Sequence, residues 1–261
     1  CNINNNSITI ITDGYYHIYG TGVTTTNQIV IKKDVNAYIR LENVKIHCNW
    51  NESPFVIEDD SRGNITIELV GDNELIGIGG PAICKNSSND VVGHLVIDGS
   101  GSLIAKNLNG DGAGIGSSNQ MDTKNISIRG GTITATAGDY GAGIGGGGGG
   151  GCASNIQIMG GVVEATGGLC QGAGIGGGSD YYGEKGDAQN ILISAGTVTA
   201  IAGGTGAGIG GGNGRGSNIY ILGGTVSAKG AKDGNDIGGG KESQGPLVIT
   251  VPIYREETIP A

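Results

Sequence analysis

The sequence predicts an all-β protein, a single-stranded right-handed parallel β-helix of about eight three-strand coils. Three observations predict this fold. A glycine-rich pentapeptide, G-A-G-I-G, recurs along the chain, and short segments with alternating apolar residues precede most copies. The copies follow one another at intervals of 28 to 34 residues. A regular interval of this length is typical of a solenoid, in which each repeat buries its apolar face by stacking on its neighbours.

The repeat is anchored on the isoleucine of the pentapeptide. These residues align as Ile83, Ile115, Ile144, Ile175, Ile209 and Ile237. Segments such as "NISIRGGTITAT" and "NIQIMGGVVEAT" come before the pentapeptide. Their apolar residues alternate with polar ones, so each segment reads as two short strands, with Ile126 and Ile128 facing inward. Because the corners vary in length, the right-handed form is favoured over the tighter hexapeptide repeats of left-handed β-helices.

The whole chain, residues 1–261, is predicted to form one β-helix domain. Irregular coils occupy 7–84, regular glycine-rich coils occupy 94–240, and a terminal strand and tail occupy 246–261, with "LVITV" at 247–251. Eight coils at about 4.8 Å per stacked strand would form a rod about 40 Å tall.

Composition excludes several classes of function. The net charge is −9, with 24 acidic and 15 basic residues, which argues against nucleic-acid binding because that requires a basic surface. No apolar run approaches the roughly 18 residues of a membrane span. No signal peptide is recognisable, so we expect a mature or excised segment.

The five cysteines, Cys1, Cys48, Cys84, Cys152 and Cys170, lack C-x-x-C spacing. We expect mostly small buried residues, with one disulfide left open. Cys1 could be a lipidated terminus. Strand-like sequence begins by about Ser7 and leaves almost no tether, so an excised segment is the preferred explanation.

An asparagine opens the first strand of successive coils, at Asn64, Asn125, Asn155, Asn190 and Asn218, and His94 takes the position once. Polar groups at such a corner need hydrogen-bond partners. We therefore expect a column of stacked amides rather than a metal or catalytic site.

Alternation within G-A-G-I-G places Ala and Ile in the core and glycines outside. We name the outward residues Gly114, Gly143, Gly174 and Gly208, with Gly116, Gly145, Gly176 and Gly210 beside them, the glycine face. Two explanations stay open. Small residues permit flat stacking and tight corners, or a ligand approaches the backbone closely.

The loops beside the glycine face carry aromatic and hydrogen-bonding residues. The predicted ligand site combines Gly114, Gly143, Gly174 and Gly208 with Asp139, Tyr140, Tyr181, Tyr182, Glu184 and Asp187. Loops over a rigid scaffold often bind ligands, and a merely solvated loop is the alternative. Trp50, with Tyr15, Tyr16, Tyr19 and Phe55, forms a second candidate platform, for which packing or end-capping is the alternative.

Calcium is an open alternative, because it needs several converging oxygen ligands. The candidates are Asp180, Asp187, Asp233 and Asp236, without an EF-hand or Asp-rich nonapeptide motif. No other cofactor is expected.

Catalysis is not expected. The histidines His17, His47 and His94 lie in the first half without a Ser/His/Asp pattern. A glycosidase needs two carboxylates at a fixed separation, and a lyase of this fold needs an acidic calcium cluster with a basic residue. Neither arrangement emerges from the columns of the repeat.

The strings "ITIITDGYYHIYGT", "NQIVIKKDVNAYIRLENVKI", "PFVIEDD", "NITIELVGDNEL" and "LVIDGSGSLIA", followed by the "NISIRGGTITAT" units, resemble carbohydrate-binding β-helix domains of clostridial cell-surface proteins. The resemblance covers roughly residues 7–240. It implies a pectate-lyase-like right-handed β-helix that binds plant polysaccharide without cleaving it, sometimes with calcium.

The expected function is therefore non-catalytic binding of a plant or host polysaccharide, outside the cell or on a bacterial surface. One alternative is a structural or adhesive surface module, or a self-associating filament subunit that packs through its glycine face. A second is a polysaccharide lyase or glycoside hydrolase.

Overall fold

The computed structural model describes residues 2–3, 7–180 and 182–241. This part of the chain contains strands and turns but no helix, and hence none that could span a membrane. The strands, in chain order, are β1 (Asn2–Ile3), β2 (Ser7–Ile10), β3 (Gly14–Tyr19), β4 (Gln28–Ile31), β5 (Ala37–Glu42), β6 (Lys45–Glu52), β7 (Phe55–Ile57), β8 (Ile65–Val70), β9 (Asp72–Gly79), β10 (Ile83–Lys85), β11 (Leu95–Gly99), β12 (Ser102–Asn107), β13 (Ile115–Gly116), β14 (Thr123–Ile128), β15 (Thr132–Thr136), β16 (Ile144–Gly145), β17 (Ala153–Thr166), β18 (Ile175–Gly176), β19 (Ala188–Ile201), β20 (Ile209–Gly210), β21 (Gly216–Ile221), β22 (Thr225–Lys229) and β23 (Ile237–Gly238).

The strands form two sheets that wrap one core. A ten-stranded sheet has the order β1-β2-β4-β7-β10-β13-β16-β18-β20-β23, and the remaining thirteen strands form the second sheet. Each turn places one strand in the first sheet and two in the second, and in β17 and β19 those two run together as one long strand. The structure has about seven turns, from β4 to β22, with partial turns at either end. This confirms the right-handed parallel β-helix.

The predicted register of the isoleucines is confirmed. Ile83 pairs with Ile115, and the same column continues through Ile144, Ile175, Ile209 and Ile237. A second column joins Ile126, Ile156, Ile191 and Ile219. Ile144 and Ile126 are fully buried. Stacked β-branched side chains thus fill the interior, which fixes the register, since a shift by one residue would expose the whole column.

Strand β1 differs from the others, because it pairs with β2 in the antiparallel direction. It covers the edge of the ten-stranded sheet at the first turn, where an open strand edge would invite another chain. The predicted terminal strand at 247–251 and Cys1 lie outside the described residues.

The other four cysteines are free thiols. Cys48 and Cys84 are buried in the core. Burial raises the pKa of the Cys48 thiol to about 12 and that of the Cys84 thiol to about 11. Both therefore stay protonated and unreactive at neutral pH, as structural cysteines do.

Candidate functional site

The glycine face is buried, so the expectation that it presents bare backbone to a ligand is wrong. Gly114, Gly143, Gly174 and Gly208 are all buried. A Cβ atom placed on Gly143 would lie 2.6 Å from the backbone nitrogen of Thr166. A side chain there would meet backbone rather than project into solvent.

The physical reason is close backbone packing between successive turns. A Cβ atom on Gly114, Gly174 or Gly208 would likewise lie 2.6–2.8 Å from the backbone nitrogen of the last residue of a second-sheet strand, namely Thr136, Ile201 or Lys229. The loops on either side of the two-residue strands are also hydrogen-bonded to one another. The backbone nitrogen of Ser179 donates to the carbonyl of Tyr140 at 3.0 Å, and the Ser179 hydroxyl donates to Gln171 Oε1 at 2.9 Å. The nitrogen of Gly148 likewise donates to the carbonyl of Asp111.

The neighbouring glycines have a backbone role. Gly116, Gly145, Gly176 and Gly210 have φ angles of 144°, 143°, 138° and 142°. A Cβ atom on each would overlap the carbonyl oxygen of the equivalent glycine in the next turn. Only glycine adopts this conformation readily and allows such close backbone approach. The first of the two explanations, close stacking, therefore accounts for the pentapeptide.

Most of the loop residues predicted to bind ligand are exposed to solvent, but they do not border the surface that was expected. Asp139, Glu184 and Asp187 are exposed, Tyr140 is half-buried, and Tyr182 is 89% exposed. Tyr181 lies outside the described residues. Because the glycines beneath them are covered, these side chains border no open surface of the predicted kind.

Three of the four aspartates proposed for calcium accept hydrogen bonds from backbone N–H groups. Asp180 Oδ1 accepts from the nitrogen of Glu184 at 2.7 Å, and Asp187 Oδ1 accepts from that of Arg215 at 2.7 Å. Asp236 Oδ1 accepts from Gly230 at 2.9 Å, while Asp233 lies exposed in a turn with a φ of 68°. Within the described residues, no three or more His, Cys, Asp or Glu side chains are grouped to hold a metal ion.

The predicted asparagine column exists as a side-chain ladder. The Nδ2 groups of Asn155, Asn190 and Asn218 each donate to Oδ1 of the asparagine one turn earlier, at 3.0, 3.2 and 3.0 Å. The ladder starts at Asn125, whose Nδ2 donates to the carbonyl of Val92 at 2.9 Å. These four asparagines have φ angles between 52° and 61°. Asparagine tolerates this left-handed conformation, which bends the chain at the same point of every turn.

The earlier coils build the same corner differently. Asn64 Oδ1 accepts from the backbone nitrogen of His94 at 3.0 Å, and Asn36 Oδ1 accepts from that of Asn64 at 3.0 Å. Asn64 therefore belongs to the column, as predicted, but it binds backbone rather than a neighbouring amide.

A groove is lined by residues that come shortly before each ladder asparagine in the sequence, and we call it the corner groove. It spans four turns and encloses a volume of about 470 Å³. Its lining residues are Asp122, Thr123, Lys124, Cys152, Ala153, Ser154, Asp187, Gln189, Arg215, Gly216 and Ser217. Strand register stacks Lys124, Ser154, Gln189 and Ser217 in one row, two residues before the core isoleucines. The groove thus repeats a polar side chain once per turn along the axis of the rod.

The carboxylates of the corner groove are engaged with the backbone. Asp122 Oδ1 accepts a hydrogen bond from the backbone nitrogen of Cys152 at 2.8 Å, and Asp187 Oδ1 accepts one from the backbone nitrogen of Arg215 at 2.7 Å. Arg215 is exposed and forms no ion pair with the residues that the structure describes. The groove therefore offers fixed acceptors, hydroxyls, an amide and a cation.

Lys124 connects the corner groove to a second hollow on the same corner. Its Nζ lies 3.0 Å from Asp90 Oδ1 and donates to the carbonyl of Asn89 at 3.2 Å. Asp90 and Asn89 line that hollow of about 430 Å³ together with Lys33, Asp34, Asp60, Arg62 and Val91. Polar concave surface therefore follows the corner through most of the rod.

A buried lysine lies beneath this junction. Lys85 is 4% exposed, and its Nζ donates to the carbonyl of Lys124 at 2.7 Å and to Ser87 Oγ at 3.1 Å. Burial lowers the pKa of Lys85 to about 8, and the nearby charge of Asp60 only partly opposes this. No carboxylate lies within ion-pair distance of it in the described part of the chain.

The second predicted platform separates into core and surface residues. Phe55 is fully buried, and Tyr16 is half-buried with its hydroxyl donating to the carbonyl of Thr12 at 2.6 Å. Trp50, Tyr15 and Tyr19 are 70%, 60% and 68% exposed. Packing explains the first two residues, whereas the last three face solvent.

Comparison with known proteins supports the fold and leaves the ligand open. A family model described as a β-helix repeat matches residues 126–148, 156–179 and 191–213. Each matched range begins directly after a ladder asparagine and ends past the glycine pentapeptide. No curated protein matches the chain, and no solved structure does. The repeat and the stacked coils fit a right-handed β-helix of the pectate-lyase type.

Proposed function

We propose that the chain binds a polysaccharide in the corner groove without cleaving it, outside the cell or on a bacterial surface. The observation that carries this proposal is the row Lys124, Ser154, Gln189 and Ser217, which places one polar residue per turn along the groove. Gln189 is exposed and Lys124 and Ser217 are half-buried, whereas Ser154 is 7% exposed. A linear polymer laid along the rod would meet a polar residue of this row at each of the four turns, most openly at Gln189.

The chemistry of the groove suits a ligand rich in hydroxyl groups. Ser154, Ser217 and Gln189 can both donate and accept hydrogen bonds, whereas Lys124 and Arg215 only donate. In concave binding sites, a small number of precisely placed polar groups fixes the orientation of the ligand. The net charge of −9 argues against a nucleic acid as the polymer.

Binding without catalysis is favoured by the engagement of the groove's carboxylates. Asp122 and Asp187 each accept a backbone N–H, so they hold the corner in shape. A general acid needs an available carboxyl with a raised pKa beside the scissile bond. We therefore propose binding without cleavage. Because no three or more His, Cys, Asp or Glu side chains are grouped to hold a metal ion in the described part of the chain, we also propose that binding does not require calcium and persists in EDTA.

The filament alternative loses the interface assigned to it. The glycine face is buried against backbone of the protein's own neighbouring turns, and the ten-stranded sheet ends in β1, an edge strand of only two residues. A partner would have to use another surface of the rod.

Affinity electrophoresis and calorimetry against a panel of soluble plant and bacterial polysaccharides test the proposal. The double variant Gln189→Ala plus Ser217→Ala should bind the best polysaccharide about thirtyfold more weakly, since it loses two hydrogen bonds that contribute about 1 kcal/mol each. Gln157→Ala is the matched control, because Gln157 faces outward one turn away but does not line the groove. Equal affinities for both variants, or no binding across the panel, would refute the proposal.

A further inference from the structure

The outer surface of the first two turns carries an unusual set of side chains. Strands β3 and β5 pair so that Tyr15 lies beside Tyr38, His17 beside Arg40, and Tyr19 beside Glu42. We call these six residues, with Glu68 of β8, the tyrosine face. Tyr15, Tyr19 and Tyr38 are 60%, 68% and 40% exposed. The tyrosine face lies on the opposite side of the strands from the core, to which Ile39 and Leu41 contribute.

Aromatic residues are not a requirement of the repeat at these positions. The row that begins with Tyr15 and Tyr38 continues as Thr66, Val96, Ser127, Gln157, Leu192 and Tyr220 in later turns. Most turns place a non-aromatic side chain there, so the repeat itself does not require the exposed rings that are concentrated on the first two turns.

The rings of the tyrosine face are held in place by one another. Tyr15 and Tyr38 stack with centroids 5.3 Å apart and an interplanar angle of 17°. The rings of His17 and Tyr19 lie 5.8 Å apart at 58°. Ring positions fixed before binding lower the entropy lost on binding.

The polar groups between the rings are also fixed. Glu42 Oε2 lies 2.9 Å from His17 Nε2 and 3.6 Å from Arg40 Nε, and Arg40 Nη1 donates to Glu68 Oε1 at 3.3 Å. Exposed ion pairs of this kind add little to stability. Their effect here is to orient a guanidinium and two carboxylates beside the rings, where they retain free hydrogen-bonding positions.

We propose that the tyrosine face is a second sugar-binding site, in which the exposed rings stack on the apolar faces of pyranose units while Arg40 and Glu68 hydrogen-bond their hydroxyl groups. Flat rings with planar polar groups at their edges match a sugar, which is apolar on its faces and polar around its rim. The inference shares the ligand class of the proposed function but not its site, since none of these residues lines the corner groove.

Calorimetric titration with short soluble oligosaccharides of glucose, xylose, mannose and galactose tests this site. The double variant Tyr15→Ala plus Tyr38→Ala should weaken binding on the order of tenfold or more, by analogy with base–aromatic stacking. Thr66→Ala, in the same row one turn on, is the matched control. Arg40→Ala provides a second variant that leaves the ring stack in place, and it should also weaken binding.

The outcomes separate the two proposals. If the tyrosine variant binds normally while the Gln189→Ala plus Ser217→Ala variant is weakened, the tyrosine face is not a sugar site and the corner groove stands. If only the tyrosine and Arg40 variants are weakened, the tyrosine face stands and the groove proposal falls. If the tyrosine variant instead changes the sedimentation of a self-associated protein without altering sugar binding, the face is a protein interface and this inference is overturned.

Discussion

Replacing Gly145 with Ala tests why the pentapeptide is glycine-rich. Gly145 has a φ of 143°, and an added Cβ atom would lie 1.9 Å from the carbonyl oxygen of Gly176 in the next turn. That oxygen accepts a 2.8 Å hydrogen bond from Gly146, so it cannot move away without breaking the stacking of the two turns. The left-handed backbone conformation costs about 1–2 kcal/mol in Ala, and the steric overlap costs about 1–3 kcal/mol more. We expect a total loss of about 2–5 kcal/mol.

Urea unfolding followed by circular dichroism measures this loss, and thermal melting provides a second midpoint. Gly22→Ala is the matched control, because Gly22 also has a positive φ of 85° but no atom lies within 4 Å of the point that an added Cβ atom would occupy. The control should lose only about 1–2 kcal/mol. If Gly145→Ala is no less stable than Gly22→Ala, close backbone stacking is not what the glycines are needed for.

Two further predictions concern stability. Asn190→Ala should lower the free energy of unfolding by about 2 kcal/mol, because it removes two ladder hydrogen bonds and places Ala at a φ of 57°. Asn190→Gly should lose less stability, because glycine adopts this φ readily. Equal losses for the two variants would contradict the claim that the left-handed backbone conformation contributes. Lys85 has a folded pKa of about 8, below its ordinary 10.5, so its own contribution to the free energy of unfolding should rise by up to about 3 kcal/mol as pH rises from 8 to 10.5. Below pH 8 that contribution is lost. Cys48 and Cys84 act in the opposite direction above about pH 9, because burial raises their thiol pKa values to about 12 and about 11. The test is therefore a comparison: across this range the free energy of unfolding of the unaltered protein should gain up to about 3 kcal/mol relative to that of Lys85→Met, and parallel pH profiles would contradict the prediction.

The fold was predictable because two independent signals agree. The spacing of the pentapeptide isoleucines gives the length of one turn, and the alternation in segments such as 126–128 gives the buried side of each strand. Both signals depend on local side-chain direction, which strand geometry determines. The column from Ile83 to Ile237 and the ladder from Asn125 to Asn218 followed directly from them.

The site was less predictable because it depends on contacts between turns. Alternation placed Gly143 outside, but it could not show that the backbone of Thr166, at the end of β17, packs against it. The corner groove was missed for a related reason. Its signal was present as polar residues such as Gln189, one position before each asparagine, but the groove exists only because those asparagines adopt left-handed backbone.

The tyrosine face was predictable only in part. The sequence marks Tyr15 and Tyr19 as members of a candidate platform but leaves Tyr38 out, although its alternation with Ile39 and Leu41 indicates an outward-facing side chain. Its partner in the ring stack lies one turn away, and only the register of β3 against β5 brings the two together.

The central claim is that the corner groove binds a polysaccharide, and locating a bound glycan on the protein tests it most directly. Nuclear magnetic resonance of the isotope-labelled protein would follow the side-chain amide of Gln189 and the backbone amides of Ser154 and Ser217 during titration with the best-bound polysaccharide fragment. The proposal predicts that these signals shift while the buried amide of Gly143 does not. Shifts confined to the exposed loop at Tyr182, with the groove signals unchanged, would contradict it.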